Sequence, residues 1–229
     1  MTSATRCLSV CLRAGVLLLC ADSAALHATD WIDLRGATPV HGDAAAGASK
    51  ATVCVACHGP NGNAIVPAFP RLAGQHADYL YWELVNFKRG TRPQSPMTAQ
   101  AANLSEADMR DLAAYFAAQA PTADAAPASP SDRGEVLFHN GDPARGIPPC
   151  QGCHGSDASG IVDARFGSWP SLRGQHADYV VARLRDYRDG KLTDSSNDFV
   201  MRGVAGTLDD ESIAALAAWV ASLPPTAAH

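Results

Sequence analysis

Apolar residues recur at helical spacing along this chain, and no stretch alternates as a half-buried strand would. Over residues 78–89, Leu80, Leu84 and Phe87 share one face, and Gly90 follows where a helix C-cap favours glycine. Val180, Leu184 and Tyr187, ended by Gly190, repeat that pattern. Ser105-Glu106-Ala107-Asp108 reads as a capping box opening a further helix. Leu104 and Met109 can staple across it, and Leu112 and Phe116 continue the apolar face. Ile213, Leu216, Val220 and Leu223 form the matching face near the end of the chain. A first helix is predicted from Asp43 into Cys57. The predicted fold class is all-α.

The pattern occurs twice because the chain is an internal duplication. Gln75-His76-Ala77-Asp78-Tyr79 returns as Gln175-His176-Ala177-Asp178-Tyr179, an offset of 100 residues. Pro70, Leu72, Gly74 and Gly90 return at that offset as Pro170, Leu172, Gly174 and Gly190. Residues 120–130 between the copies hold three prolines and no large apolar side chain, so they cannot bury a core and read as a partly extended linker. Two domains are expected, 41–120 and 131–225, joined by residues 121–130. Each is small for an independent fold, and a covalently held cofactor would supply missing apolar core.

The first 25 residues read as a secretory signal peptide. Arg6 and Arg13 form a basic leader, residues 14–21 an apolar stretch, and Ser23-Ala24-Ala25 a small-residue cleavage site after Ala25, with Ala28 as the second choice. The apolar run is far shorter than the roughly 20 residues a spanning helix needs. No transmembrane span is expected, which leaves peripheral association with a membrane open. Three of the seven cysteines, Cys7, Cys11 and Cys20, lie in this leader. Removing residues 1–25 takes Arg6, Arg13 and Asp22 from 18 basic and 23 acidic residues, leaving 16 and 22, a net of −6. Residues 124–229 carry 9 basic and 14 acidic groups, against 7 and 8 in residues 26–123. This excess of acid disfavours nucleic-acid binding. It suits either solubility or salt-sensitive steering of a basic redox partner.

The remaining four cysteines all belong to Cys54-Val55-Ala56-Cys57-His58 and Cys150-Gln151-Gly152-Cys153-His154. Cys-x-x-Cys-His is the attachment string of a c-type haem, in which the cysteines bond the vinyl groups and the histidine ligates iron. Two covalently attached c-type haems are therefore expected. Each iron needs a sixth ligand from elsewhere, and Met sulfur is the usual one in electron-transfer cytochromes. Met97 and Met201 stand at the same place in the repeat, each seven residues before a leucine, Leu104 or Leu208. Both read as loop residues ahead of a capped helix and are the expected axial ligands. Met109 aligns with Ile213 on a buried helix face and reads as core filler. His76 and His176 repeat and suggest a shared structural role at a helix start. His27, His41, His139 and His229 have no duplicate and read as surface or leader residues. The carbonyls of Pro70 and Pro170 are candidates to accept the free ring N–H of each proximal histidine. Gly59 and Gly155 follow those histidines, where the backbone must turn beside the porphyrin.

Zinc is a poor alternative, since 92 residues separate the Cys-x-x-Cys pairs and each is followed at once by histidine. A thioredoxin-like site would need a surrounding βαβ pattern, which is missing. The chain resembles the dihaem cytochrome c4 family. The resemblance rests on Cys57-His58-Gly59 with Gly62-Asn63, on Pro70-Arg71-Leu72-Ala73-Gly74-Gln75 leading to Tyr79-Leu80, on Gly90, Met97 and the final capped helix, and on the second copy in the same order. It implies two tandem class I cytochrome c domains whose haems lie close together, with propionates near the domain boundary. It also implies a periplasmic electron carrier, with redox-protein donor and acceptor, delivering toward a terminal oxidase. A saturated iron offers no open position, so an electron carrier rather than an enzyme is expected. The rivals are a dihaem dehydrogenase or peroxidase, and an electron-transfer subunit of a larger complex. The departures from the family pattern are four extra residues around Ser168-Trp169 and the acidity of the second copy.

Overall fold

The computed structural model describes residues 31–92, 95–123, 129–161 and 163–226; the leader and the middle of the linker lie outside them. Helices dominate. In the first half, α1 (Ala44–Lys50), the single turn α2 (Val55–His58), α3 (Ala77–Arg89), α4 (Met97–Ala101) and α5 (Glu106–Ala117) follow one another. The second half repeats the order with α6 (Asp132–Asn140), the single turn α7 (Gln151–His154), α8 (Ala177–Arg188), α9 (Ser196–Ala205) and α10 (Asp210–Ser222). Among the described residues β pairing is confined to two isolated bridges, Ile32 with Ser195 and Asp142 with Ile147.

Short polar side chains set where the helices start. Asp43 accepts the Ala45 and Ala46 N–H groups ahead of α1, Ser131 accepts from Gly134 at α6, and Asp209 from Ser212 at α10. The capping box predicted for α5 is present, with Ser105 and Asp108 bonding reciprocally. Gly90 ends α3 in the left-handed conformation, φ 71°. The helix predicted from Asp43 to Cys57 is in fact α1, a 3-10 turn (Ala51–Val53) and α2.

Each half has its own core. In the first, α1 and α3 pack on α5 around Leu80, Tyr81, Met109, Leu112 and Phe116. In the second, α6 and α8 pack on α10 around Phe138, Ile147, Ile213, Leu216, Trp219 and Val220. Glycine lets the first helix of each half lie directly on the last. A Cβ at Gly47 would fall 2.1 Å from the Asp111 carbonyl oxygen, and one at Gly134 2.1 Å from that of Ala215.

The placement of the two methionines differs from the sequence expectation. Met97 is the first residue of α4, and Met201 lies in the middle of α9; neither is in a loop. The α9 sequence hides its helicity, because Asn197 and Gly203 are poor helix formers and Phe199 and Val200 face solvent. A second capping box, Ser195 with Asp198, starts it.

Candidate functional site

The two Cys-x-x-Cys-His strings each close a short helical turn, with His58 and His154 at the last position of α2 and α7. Gly59 and Gly155 follow at φ 70° and 77°, turning the chain away at once. The histidine rings are buried, 5% and 7% exposed. In each, Nδ1–H donates to a proline carbonyl at 2.9 Å, His58 to Pro70 and His154 to Pro170. That bond fixes the ring and leaves Nε2 with its lone pair free to ligate. Burial holds both imidazoles below their ordinary pKa, favouring the neutral form. The second copy has four more residues between histidine and proline, yet the bond length is the same.

All these groups open into one cavity of about 1190 Å³ shared by the two halves. Cys54, Cys57, His58 and Met97 line it on one side, and Cys150, Cys153, His154 and Met201 on the other. The rest of the wall is mainly apolar, including Leu72, Leu84 and Phe116 in the first half and Leu172, Leu184 and Leu216 in the second. Burial pushes the Cys150 thiol up to about 11 and raises Cys54 as well. These are not the acidified thiols of a redox-active dithiol site.

The polar part of the wall fits the carboxylate edge of a haem. Arg92 and Arg183 are ion-paired with Glu83 and Asp186, yet the Nε of each, with the indole N–H of Trp82 and the acceptor Asn86 Oδ1, is buried without a hydrogen-bond partner among the described residues, and all four residues line the cavity. Orphaned donors in a buried wall mark a place where acceptors belong. Tyr79, Tyr179 and Tyr187 line the same region, and desolvation pushes Tyr79 and Tyr187 well above the usual phenol range, so they stand as neutral hydroxyl donors. The histidines and the thiol pairs suit two haems, whose carboxylates this donor set would hold.

The cytochrome c family model matches residues 44–119 and again 131–224. Cytochrome c4 of Azotobacter vinelandii is 41% identical over 201 residues, covering 84% of this chain and 94% of the relative. The crystal structure of reduced recombinant cytochrome c4 from Pseudomonas stutzeri superposes with a TM-score of 0.72 at 39% identity, covering 80% of this chain and 99% of that one. The chain belongs to the dihaem cytochrome c4 family. A thiosulfate dehydrogenase electron acceptor of Thiomonas intermedia is 35% identical, covering 79% of this chain and 82% of the relative. Two tandem cytochrome c domains thus carry two covalent c-type haems, and the protein is an electron carrier, not an enzyme. Among the described residues no helix is long and apolar enough to cross a membrane.

The repeated Gln-His pairs, Gln75-His76 and Gln175-His176, lie at the boundary between the domains. Gln75 and Gln175 reach across the domain boundary. Gln75 Nε2 donates to the Ser171 carbonyl at 2.8 Å and its Oε1 accepts from Ser171 N–H at 2.9 Å. Gln175 does the same with Arg71, at 3.1 and 2.9 Å. His76 Nε2 pairs with the Ser159 carbonyl at 3.3 Å and His176 Nε2 with that of Ala64 at 2.9 Å. The shared structural role expected of His76 and His176 is therefore played between domains, although each does precede a helix, α3 or α8. Gly160, at φ 96°, makes room for one of these rings, since a Cβ there would lie 2.4 Å from His76 Nε2. The only sequence signal for this arrangement was the exact repetition of Gln-His-Ala-Asp-Tyr in both copies.

Gln75→Ala leaves the Ser171 N–H and carbonyl buried and unpaired. The expected cost is about 2–4 kcal/mol of stability, measured by denaturant unfolding of the haem-loaded protein, with a loss of cooperativity between the halves.

Proposed function

We propose that this protein is exported to the periplasm and carries single electrons between respiratory redox proteins, toward a terminal oxidase. Cleavage after Ala25 would release the chain, and two domains, 41–120 and 131–225, would be joined by residues 121–130. Cys54 and Cys57 would hold one haem and Cys150 and Cys153 the other. His58 and His154 would be the proximal ligands, Met97 and Met201 the distal ones, and the Pro70 and Pro170 carbonyls would orient the histidines. When bound, each haem supplies a one-electron couple whose potential is raised by His/Met ligation.

The observation that carries this reading is the paired geometry. Both histidines keep Nε2 free through an identical Nδ1–carbonyl bond, and a methionine from each half lines the same cavity. With both irons saturated, the chain's own work is to bind, orient and desolvate; no acid, base or nucleophile is required.

Optical redox titration tests it. Two low-spin haems at positive potentials, each with a Met–iron charge-transfer band in the oxidised spectrum, are expected. A high-spin or non-Met haem overturns the ligand assignment.

A second reading concerns the donor. The similarity to a protein named as a thiosulfate dehydrogenase electron acceptor supports a dehydrogenase as the source of electrons. Stoichiometric co-purification with such an enzyme would favour a subunit of a complex over a free carrier.

A further inference from the structure

The segment before the first domain does not pack only on that domain. Val40 N–H donates to Asp78 Oδ1 at 2.7 Å at the start of α3, which ties one end of the segment to the first half. Residues 31–34 then lie on the second half. Ile32 N–H donates to the Asp194 carbonyl at 2.8 Å, and Ser196 N–H donates back to the Ile32 carbonyl at 2.9 Å. This pairing is the parallel bridge between Ile32 and Ser195. Leu34 N–H donates to Ser196 Oγ at 2.9 Å. Leu34 is only 4% exposed and lines the shared cavity. Residues 31–40 precede the region matched by the cytochrome c family model, which begins at residue 44.

The place where the strap lands is the start of α9, the helix that carries Met201. A second tie meets it one residue later. Trp169 Nε1–H donates to Asn197 Oδ1 at 3.2 Å, and Asn197 Nδ2 donates to the Ser168 carbonyl at 3.1 Å. Ser168 and Trp169 belong to the stretch that is four residues longer than in the first copy. Asp194, Ser195 and Ser196 are all buried. Further along, α9 packs on α8 and buries Ala205 at its far end, while Phe199 and Val200 between are exposed.

We propose that residues 31–34 are a strap that positions Met201, so that the sixth ligand of the second iron is held in place from outside its own domain. Ile32, Leu34 and Ser196 are positioning residues in this arrangement. The inference rests on Met201 being the axial ligand. A Met–iron bond opens when the ligand-bearing segment moves away, and local opening is easiest where few buried contacts hold the backbone. The strap adds three hydrogen bonds and a buried leucine at the end of α9 from which that opening would start.

The test uses the haem-loaded full chain. Ile32→Pro removes the N–H that donates to Asp194, and Ser196→Ala, a milder change, removes the acceptor for Leu34. Imidazole can enter only after the methionine leaves, so its binding rate reads ligand release; Met201→Ala marks which haem is the second. Imidazole binding at the second haem is expected to be faster by about tenfold or more in Ile32→Pro and by a smaller factor in Ser196→Ala, with a shifted potential for that haem. The first haem serves as the internal control and should be unchanged. Unaltered binding at the second haem in both variants overturns the strap, as does equal acceleration at both haems, which is what general loosening would give. If the second haem of the unaltered protein lacks a Met–iron band, the axial assignment fails and takes the strap with it. If the band is present and the variants match the parent, only the strap falls.

Discussion

Substituting both Cys150 and Cys153 by alanine is expected to yield a protein with one haem and an unfolded second half. The cavity they line runs against Leu172, Val180, Leu184, Leu208, Leu216 and Val220, so the apolar faces of α8 and α10 close over the space the cofactor fills. Leaving that space empty removes the contacts on one side of the core, and a small domain has little other surface to bury. The loss should exceed the about 4–5 kcal/mol that marks exceptional single-site effects. Mass spectrometry should report one haem fewer, and far-UV circular dichroism a loss of roughly the helix content of one half. A doubly substituted protein with full helicity would mean that protein packing alone sustains the second domain.

Met201→Ala is expected to act in the opposite way, sparing the fold and changing the iron. Both haems should remain attached, since Cys150, Cys153 and His154 are untouched. Met201 is only partly buried, and its helix keeps the Ser195–Asp198 capping box. Without the sulfur, the second iron should bind cyanide or imidazole more tightly by more than about tenfold, at least about 1.4 kcal/mol. One of two Met–iron charge-transfer contributions should vanish, and the potential of that haem should fall because thioether ligation is what raises it. A second haem that still refuses added ligands would remove Met201 from the axial position. The same substitution at Met97 should give the mirror-image result at the first haem. The paired experiments therefore also assign the two potentials.

The two copies are not equivalent in their surroundings. Arg92, 6% exposed, ion-pairs with Glu83 and stacks over Phe87 at 4.6 Å. The position 100 residues later is Leu192, which is also buried. The repeat is broken at this position: a buried cation that acts on Tyr79, Tyr179 and Tyr187, and so on both copies, stands where the second copy has an apolar residue. Asp198, whose carboxyl is pushed up by burial against its bonds to Ser195, lies on the second-copy side.

The chemistry of this protein was written locally. Cys-x-x-Cys-His requires five consecutive residues, and one helical turn is enough to present both thiols and the imidazole together. The helices α3, α5, α8 and α10 were equally legible, because an apolar stripe at helical spacing and a capping side chain are short-range properties. The duplication also let Met97 and Met201 be compared within one chain, which is the ground for proposing them as a pair of ligands. Three things needed the tertiary structure. The helicity of α9 was hidden because Asn197 and Gly203 are poor helix formers and its largest apolar side chain, Phe199, faces solvent, although its capping box of Ser195 with Asp198 is local. The role of Gln75, His76, Gln175 and His176 was hidden because each partner lies 83 to 112 residues away in the other domain. The strap was hidden for the same reason, Leu34 and Ser196 being 162 residues apart. Cofactor attachment and helix identity follow from neighbours along the chain. How the two domains meet follows from bonds between Gln and His side chains and distant backbone groups, and the strap proposed to steady the second methionine follows from bonds to distant backbone and hydroxyl groups, partners that no local pattern encodes.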